Sequence, residues 1–190
     1  MPGGKEFLQK FEDKQTLIKL DHKLQKGEDL TKEELSFLYE LDRPIATLDT
    51  YNRIDPRITE LKEKYGIEYA LEKGIDVNEL VSSLDPKDIV HNLNTLLKHG
   101  ADIDVNELVS NLKSYSIIPN LNTLLKHGAD ANNIVNNMYP YEIVRNLDTL
   151  LKHGADINLI TKKLKESDIK DNIKLLRKYG ANLDAYQENN

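Results

Sequence analysis

The stretch that decides the fold is Thr95-Leu96-Leu97-Lys98-His99-Gly100, because the chain writes it again as Thr123-Leu124-Leu125-Lys126-His127-Gly128 and as Thr149-Leu150-Leu151-Lys152-His153-Gly154. A looser version, Leu175-Leu176-Arg177-Lys178-Tyr179-Gly180, follows. The glycines lie 28, 26 and 26 residues apart, and Gly74 precedes Gly100 by another 26. Two extra residues after Gly100 account for the longer interval. Self-similarity at a period between about 20 and 50 residues is the sequence sign of a repeat array.

Each copy divides into two helical patterns. Ile89, Val90, Leu93, Leu96 and Leu97 fall within about 120° of helix circumference, the width of a core-facing stripe. Gly100 supplies the left-handed residue that ends such a helix, and Lys98 and His99 place positive charge in its last turn. This second helix of the pair, helix B, is expected from about Pro86 to His99, with Asp85 as cap and Pro86 at its first position. In the second copy Pro119 falls where His91 sits in the first, so helix B there is expected to begin near Ser116. A shorter helix A precedes it, from Asp76 to Leu84, with Val77, Leu80, Val81 and Leu84 as its apolar face. Asp76, Asp104, Asp130 and Asp156 share its N-cap column, and Glu79 and Glu107 stand where a capping box needs them.

One helix pair is too small to bury its own apolar surface, so neighbours must stack. The expected fold is all-α: a right-handed-type α-solenoid of stacked two-helix repeats, at about 75–100, 103–128, 129–154 and 155–180. The repeat region spans 67–190, and the last copy, carrying Lys170, Asp171, Lys174 and Arg177, has the wetter face of a terminal cap. Beyond it the tail from Ala185 to Asn190 is expected to fray. Residues 1–66 lack the repeat and are expected to form an N-terminal helical cap. One or two helices reach Gly27. A capping box at Thr31-Lys32-Glu33-Glu34, with Leu30 and Leu35 as a staple, opens a helix to about Asp42. A turn-rich stretch from Asp49 to Pro56 then leads to a helix at Ile58 to Tyr65.

The heptad Leu-Leu-Lys-His-Gly-Ala-Asp resembles the end of the second helix in ankyrin repeats. Ankyrin repeats run to about 33 residues and carry a β-turn finger and a Thr-Pro-Leu-His start; this chain has neither. It resembles an ankyrin-like hairpin without the finger, so fingertip contacts are not implied. The string from Leu30 to Ile58 is similar to uncharacterised bacterial proteins that place such a segment before helical repeats, which implies no activity.

The chain has 190 residues, 39% of them apolar and 31% charged, with a net charge of −6. That composition suits a folded protein and disfavours a phosphate backbone as partner. Cysteine is absent, so thiolate chemistry and disulfides are excluded. The Met1 to Phe7 start lacks the apolar core of a signal peptide and no run of about 18 apolar residues exists, so no membrane association and a cytoplasmic location are expected.

No phosphate loop, nucleophile elbow or zinc-protease motif occurs, and the recurring carboxylates are explained as caps. Equivalent histidines in stacked repeats sit about 8–10 Å apart, too far to share one ion with ligands at about 2 Å. The expectation is therefore a non-catalytic scaffold with no cofactor and no metal. The column Asn92, Asn120, Asn146 and Asn172 is expected to bond the neighbouring repeat's backbone, with a ligand-facing row as the alternative. Where the frame is constant and the decoration varies, a partner surface is expected. That points to the ends of the A helices at Ser82, Ser83, Ser110, Asn111, Asn136, Asn137, Lys162 and Lys163. It also points to Tyr115, Tyr139 and Tyr141 in the following turns, tyrosine being enriched at interface hot spots. Against this stands the reading that these turns are merely unconstrained. The partner class expected is a protein or peptide. Modular nucleic-acid binding is the alternative, carried by the row Lys98, Lys126, Lys152 and Lys178, although residues 67–186 hold 14 Lys or Arg against 17 Asp or Glu. An enzyme with a site built from scattered residues is the second alternative.

Overall fold

A computed structural model describes residues 4–46, 54–184 and 186. The turn-rich stretch at 49–56 is thus largely outside the described residues, as are the first three residues and almost all of the tail after 184. The chain is all-helical, with no strand among the described residues. In chain order the helices are α1 (Gly4–Lys26), α2 (Lys32–Leu38), α3 (Pro56–Lys64), α4 (Ile67–Glu72), α5 (Val77–Ser83), α6 (Pro86–His91), α7 (Leu93–Lys98) and α8 (Val105–Asn111). There follow α9 (Ser114–Ile117), a 3₁₀ turn (Ile118–Asn120), α10 (Leu121–Lys126), α11 (Ala131–Asn136), α12 (Pro140–Arg145) and α13 (Leu147–Lys152). The last three are α14 (Ile157–Lys163), α15 (Glu166–Asp171) and α16 (Ile173–Lys178). No described helix is long and apolar enough to cross a membrane.

The helices gather in two compact units. The first comprises Met1–Asp85 and Asn92–Asp102, the second Pro86–His91 and Ile103–Asn190.

In the first unit, residues 4 to 26 form one helix, and α3 packs against both α1 and α2. Its core is Leu17, Leu20, Leu35, Leu38 and Leu61, all essentially inaccessible, each contributing about 1.5–3 kcal/mol by burial. Three tyrosines tie backbone together around it. Tyr39 donates to Tyr65 O at 2.9 Å, Tyr65 to Glu28 O at 2.6 Å, and Tyr69 Oη accepts from Leu30 N at 3.1 Å. The capping box at Thr31 forms as expected, with bonds of 3.2 and 2.9 Å. The helix it opens ends at Leu38, earlier than Asp42. Glu40 takes a left-handed φ of 59°, and Leu41 N bonds back to Ser36 O across the end. The Glu40 carboxylate meets the cost of that conformation by accepting Ile45 N at 2.8 Å.

The glycine-ended helix recurs five times. At Gly74, Gly100, Gly128, Gly154 and Gly180 φ lies between 85° and 90°. The N–H three residues past each helix returns to a carbonyl five residues earlier, as in Ala101 to Leu96, Ala129 to Leu124 and Ala155 to Leu150. This satisfies carbonyls the helix leaves orphaned and requires a residue free of a Cβ penalty. Ile67 to Gly74 has the same form, so the repeating pattern begins at α4.

Helix B is not continuous. In every copy it breaks at the recurring asparagine, whose backbone sits at φ −104° to −115° and ψ 8° to 14°. Three of these side chains donate to the carbonyl four residues before: Asn120 to Ser116 O, Asn146 to Glu142 O and Asn172 to Asp168 O, at 2.8–2.9 Å. At these three positions the amide thus bonds its own preceding turn, where a bond to the neighbouring repeat was expected; a short amide reaches that turn first. In the second copy the helix starts at Ser114, not near Ser116, because the ring of Pro119 is accommodated by the 3₁₀ turn rather than by a later start.

A different asparagine column links the copies. Asn78 Oδ1 accepts Asp102 N at 2.9 Å within the first unit. In the second unit Asn106 accepts Asp130 N at 2.7 Å and Asn132 accepts Asp156 N at 2.6 Å. The aspartates meanwhile cap their helices through Oδ1, as expected. The capping boxes expected at Glu79 and Glu107 are half made: each N3 amide bonds its Asp, while both Glu side chains remain in solvent. At Asp130 and Asp156 the N–H that a box glutamate would take is held by the preceding copy's Asn. Asn132→Ala is expected to lower stability by about 0.5–1.5 kcal/mol in urea denaturation, since it removes a hydrogen bond between copies. Asn136→Ala, a surface change, is expected to stay within about 0.5 kcal/mol.

In the second unit α11 packs against both α8 and α14, the equivalent helices of the copies before and after it. The core is the column Leu121 and Leu124, Leu147 and Leu150, Ile173 and Leu176, with Ile134 and Ile143.

Candidate functional site

Most of the variable residues at the end of each helix A bond a backbone carbonyl, usually one turn back in their own helix. In the first unit Ser82 and Ser83 donate to Asn78 O and Leu80 O, each at 2.8 Å. In the second unit Ser110 donates to Asn106 O, Asn111 to Glu107 O and Asn137 to Asn133 O, at 3.0–3.1 Å. Lys163 reaches across to the preceding copy, its Nζ 2.8 Å from both Val135 O and Asn136 O. Burial pulls its pKa below the usual lysine value. These side chains are therefore already engaged by backbone, whereas Asn136 and Lys162 point into solvent.

The turns that follow differ in character. Tyr115, Tyr139 and Tyr141 are 74%, 61% and 57% exposed. The rings of Tyr139 and Tyr141 lie nearly parallel, 6° between planes and 6.0 Å between centroids, and the Arg145 guanidinium sits 5.8 Å from the Tyr141 ring. Beneath them Glu142 is buried. It accepts Tyr139 N at 2.8 Å and the Tyr141 hydroxyl at 3.2 Å. Desolvation and that bond push the Tyr141 phenol up. Pro140 at the first helical position and a non-helical Tyr139 put residues two apart on one side; within a helix they would diverge. The sequence reading named both tyrosines but not their stacking, for that reason. Also missed were Lys113 and Lys165, which share the Tyr139 column of the repeat; aligning the copies on Leu112, Met138 and Leu164 brings them out.

The opposite ends of the B helices are largely occupied. In the first unit Lys98 Nζ and His99 Nε2 lie 3.1 and 3.3 Å from one oxygen of Glu68, holding that carboxyl below its ordinary pKa. In the second unit the Tyr179 hydroxyl lies 3.3 Å from Asp148 Oδ1, and Lys152 pairs with the same carboxylate. Both ring contacts span 31 residues, so the His/Tyr column reaches back to the previous copy. His153 Nδ1 instead lies 2.9 Å from Thr149 O. Among the described residues no group of three or more His, Asp or Glu is arranged to hold a metal ion. Two of the four lysines in the row at 98, 126, 152 and 178 are thus paired with carboxylates, which weakens that row as a track for phosphates.

Comparison of the chain with protein-family models, curated proteins and solved structures finds no match.

Proposed function

We propose that the chain is a non-catalytic, ankyrin-like solenoid of finger-less two-helix repeats that binds a protein or peptide along the edge where A helices turn into B helices. The observation that carries this reading is the exposure of Tyr115, Tyr139 and Tyr141. Three large amphipathic rings left in solvent on one kind of turn are the composition of an interface hot spot and cost a free surface solubility. The recurrent Asn-to-backbone links and glycine ends support a regular array, since each copy bonds to the next in the same way. Rigid copies of this kind would hold the turns at fixed spacing and lower the entropic cost of binding.

Selection from a displayed peptide library tests the proposal, using the full chain and a Tyr115→Ala/Tyr139→Ala/Tyr141→Ala variant checked by circular dichroism for unchanged helicity. Selected peptides are expected to bind the variant about tenfold or more weakly, as loss of an aromatic hot spot implies. Equal binding to both proteins would remove this edge as the binding surface.

A further inference from the structure

The edge carries charge as well as aromatic rings. In the second unit, α11 and α14 lie side by side and parallel, joined at their starts by Asn132 to Asp156 N and at their ends by Lys163 to the Val135 and Asn136 carbonyls. Packed helices stand about 8–10 Å apart, so the turns that leave them emerge as neighbours. α8 joins α11 through Asn106, with Asn133 Nδ2 donating to Asn106 O and Ser110 Oγ at 3.0 and 3.2 Å. Three successive turns therefore come off one edge, bearing Lys113 and Tyr115, Tyr139 and Tyr141, then Lys165, with Lys162 and Arg145 beside them.

On this edge the four cations form no ion pair with another described residue, whereas the three carboxylates are each engaged, Glu166 while still exposed. Lys113, Lys162 and Lys165 are exposed, and Arg145 rests on a ring. Glu142 is buried and doubly bonded. Glu166 pairs with Lys170 at 2.8 Å, and Asp168 accepts Lys165 N at 3.3 Å. The other end of the same A helices is acidic, with Asp104, Glu107, Asp130 and Asp156 all exposed. A chain of net charge −6 thus presents one basic, tyrosine-bearing strip.

We propose that this strip takes an acidic peptide segment, whose carboxylates meet Lys113, Arg145, Lys162 and Lys165 while its aromatic or proline residues lie on the three tyrosines. The proposal rests on the scaffold reading and names its partner class. A peptide fits better than a nucleic acid for two reasons. Tyr139 and Tyr141 are already stacked on each other and leave no slot between them for a base. A long polyanion would also run past the strip into the field of an acidic molecule, which a short acidic segment avoids.

Fluorescence anisotropy on the full chain tests this with three labelled probes: a peptide of alternating Glu and Tyr, the same peptide with Lys for Glu, and single-stranded oligothymidylate. The Glu/Tyr peptide is expected to bind, and to weaken about tenfold or more in Lys113→Glu/Arg145→Glu/Lys165→Glu, as reversed complementarity requires. It should also weaken in about 1 M salt, where the screening length is near 3 Å. The Lys/Tyr peptide should gain binding in that variant, a result that misfolding does not produce. Lys126→Glu/Lys174→Glu, reversing exposed lysines on B helices of the same unit, should leave binding unchanged. Absence of Glu/Tyr binding, equal binding of both peptides, insensitivity to the triple reversal, or tighter binding of the oligonucleotide would each overturn the proposal. If library selection instead returns neutral peptides that need the tyrosines, the scaffold reading survives and the acidic partner falls.

Discussion

Asp13→Ala is expected to destabilise the first unit by about 2–4 kcal/mol. Asp13 is 2% exposed in the middle of α1, yet its carboxylate is fully engaged. Arg43 donates twice, at 2.8 and 2.6 Å, Ala46 N at 2.8 Å and Gln9 Nε2 at 3.0 Å. The side chain thereby anchors the segment after α2 to the face of α1. Breaking a fully buried pair costs about 3–5 kcal/mol; this pair costs less because the Arg43 side chain is 43% exposed and solvent screens its share. Burial alone would raise the Asp13 pKa, but the bonds from Arg43, Ala46 N and Gln9 outweigh it and hold the carboxyl below the ordinary value. A depressed folded pKa stabilises the unit above the unfolded carboxylate pKa of about 4. That stability is lost as pH falls through the lower, folded value. Urea denaturation followed by circular dichroism at neutral pH and along the acid limb should show both effects. The alanine variant should be weaker at pH 7 and lose less on acidification. A variant as stable as the parent, with the same acid limb, would show that the anchor contributes nothing.

The parts of this molecule that were legible in its sequence are those governed by short-range chemistry. Aspartate caps, the Thr31 box and the five glycine ends each depend on residues within a turn of one another, and they form where the residue types say they should. What escaped depends on partners that sequence spacing does not reveal. Asp13 looks like any solvated acid until Arg43, 30 residues on, is brought to it. The two asparagine columns have the same residue type and the same recurrence. Which one links copies depends on which amide has a free N–H within reach, and Asn120, Asn146 and Asn172 find an acceptor four residues away instead. At the candidate surface the variation at the ends of the A helices was visible, but its meaning was not. Ser, Asn and Lys are interchangeable there because each can reach a backbone carbonyl, in its own helix or in the preceding copy, so variability signals redundancy of that bond as much as freedom to bind. The tyrosines differ because none of the three serves a backbone group: the Tyr141 hydroxyl goes to a carboxylate, and their rings remain outside.

Leu150→Ala and Leu176→Ala are expected to cost about 2–5 kcal/mol each, because both side chains are fully buried and their removal leaves a cavity that short, mutually packed helices close only in part. They occupy the same position of the repeat, one in an interior copy and one in the last, so they separate the proposed array from a single cooperative globule. In an array, stability is a sum of copy and nearest-neighbour terms. Damage at Leu150 should then lower hydrogen-exchange protection in α10 and α11 on one side and in α14 and α16 on the other. Damage at Leu176 should loosen α14 to α16 and leave α8 and α10 protected. The leucine carbonyls also accept the return bonds from Ala155 and Ala181, so protection of those two amides reports directly on each site. If both substitutions instead lower protection uniformly through the second unit, the copies do not act as separable neighbours. The solenoid reading would then fail, and with it the fixed spacing on which a periodic binding edge depends.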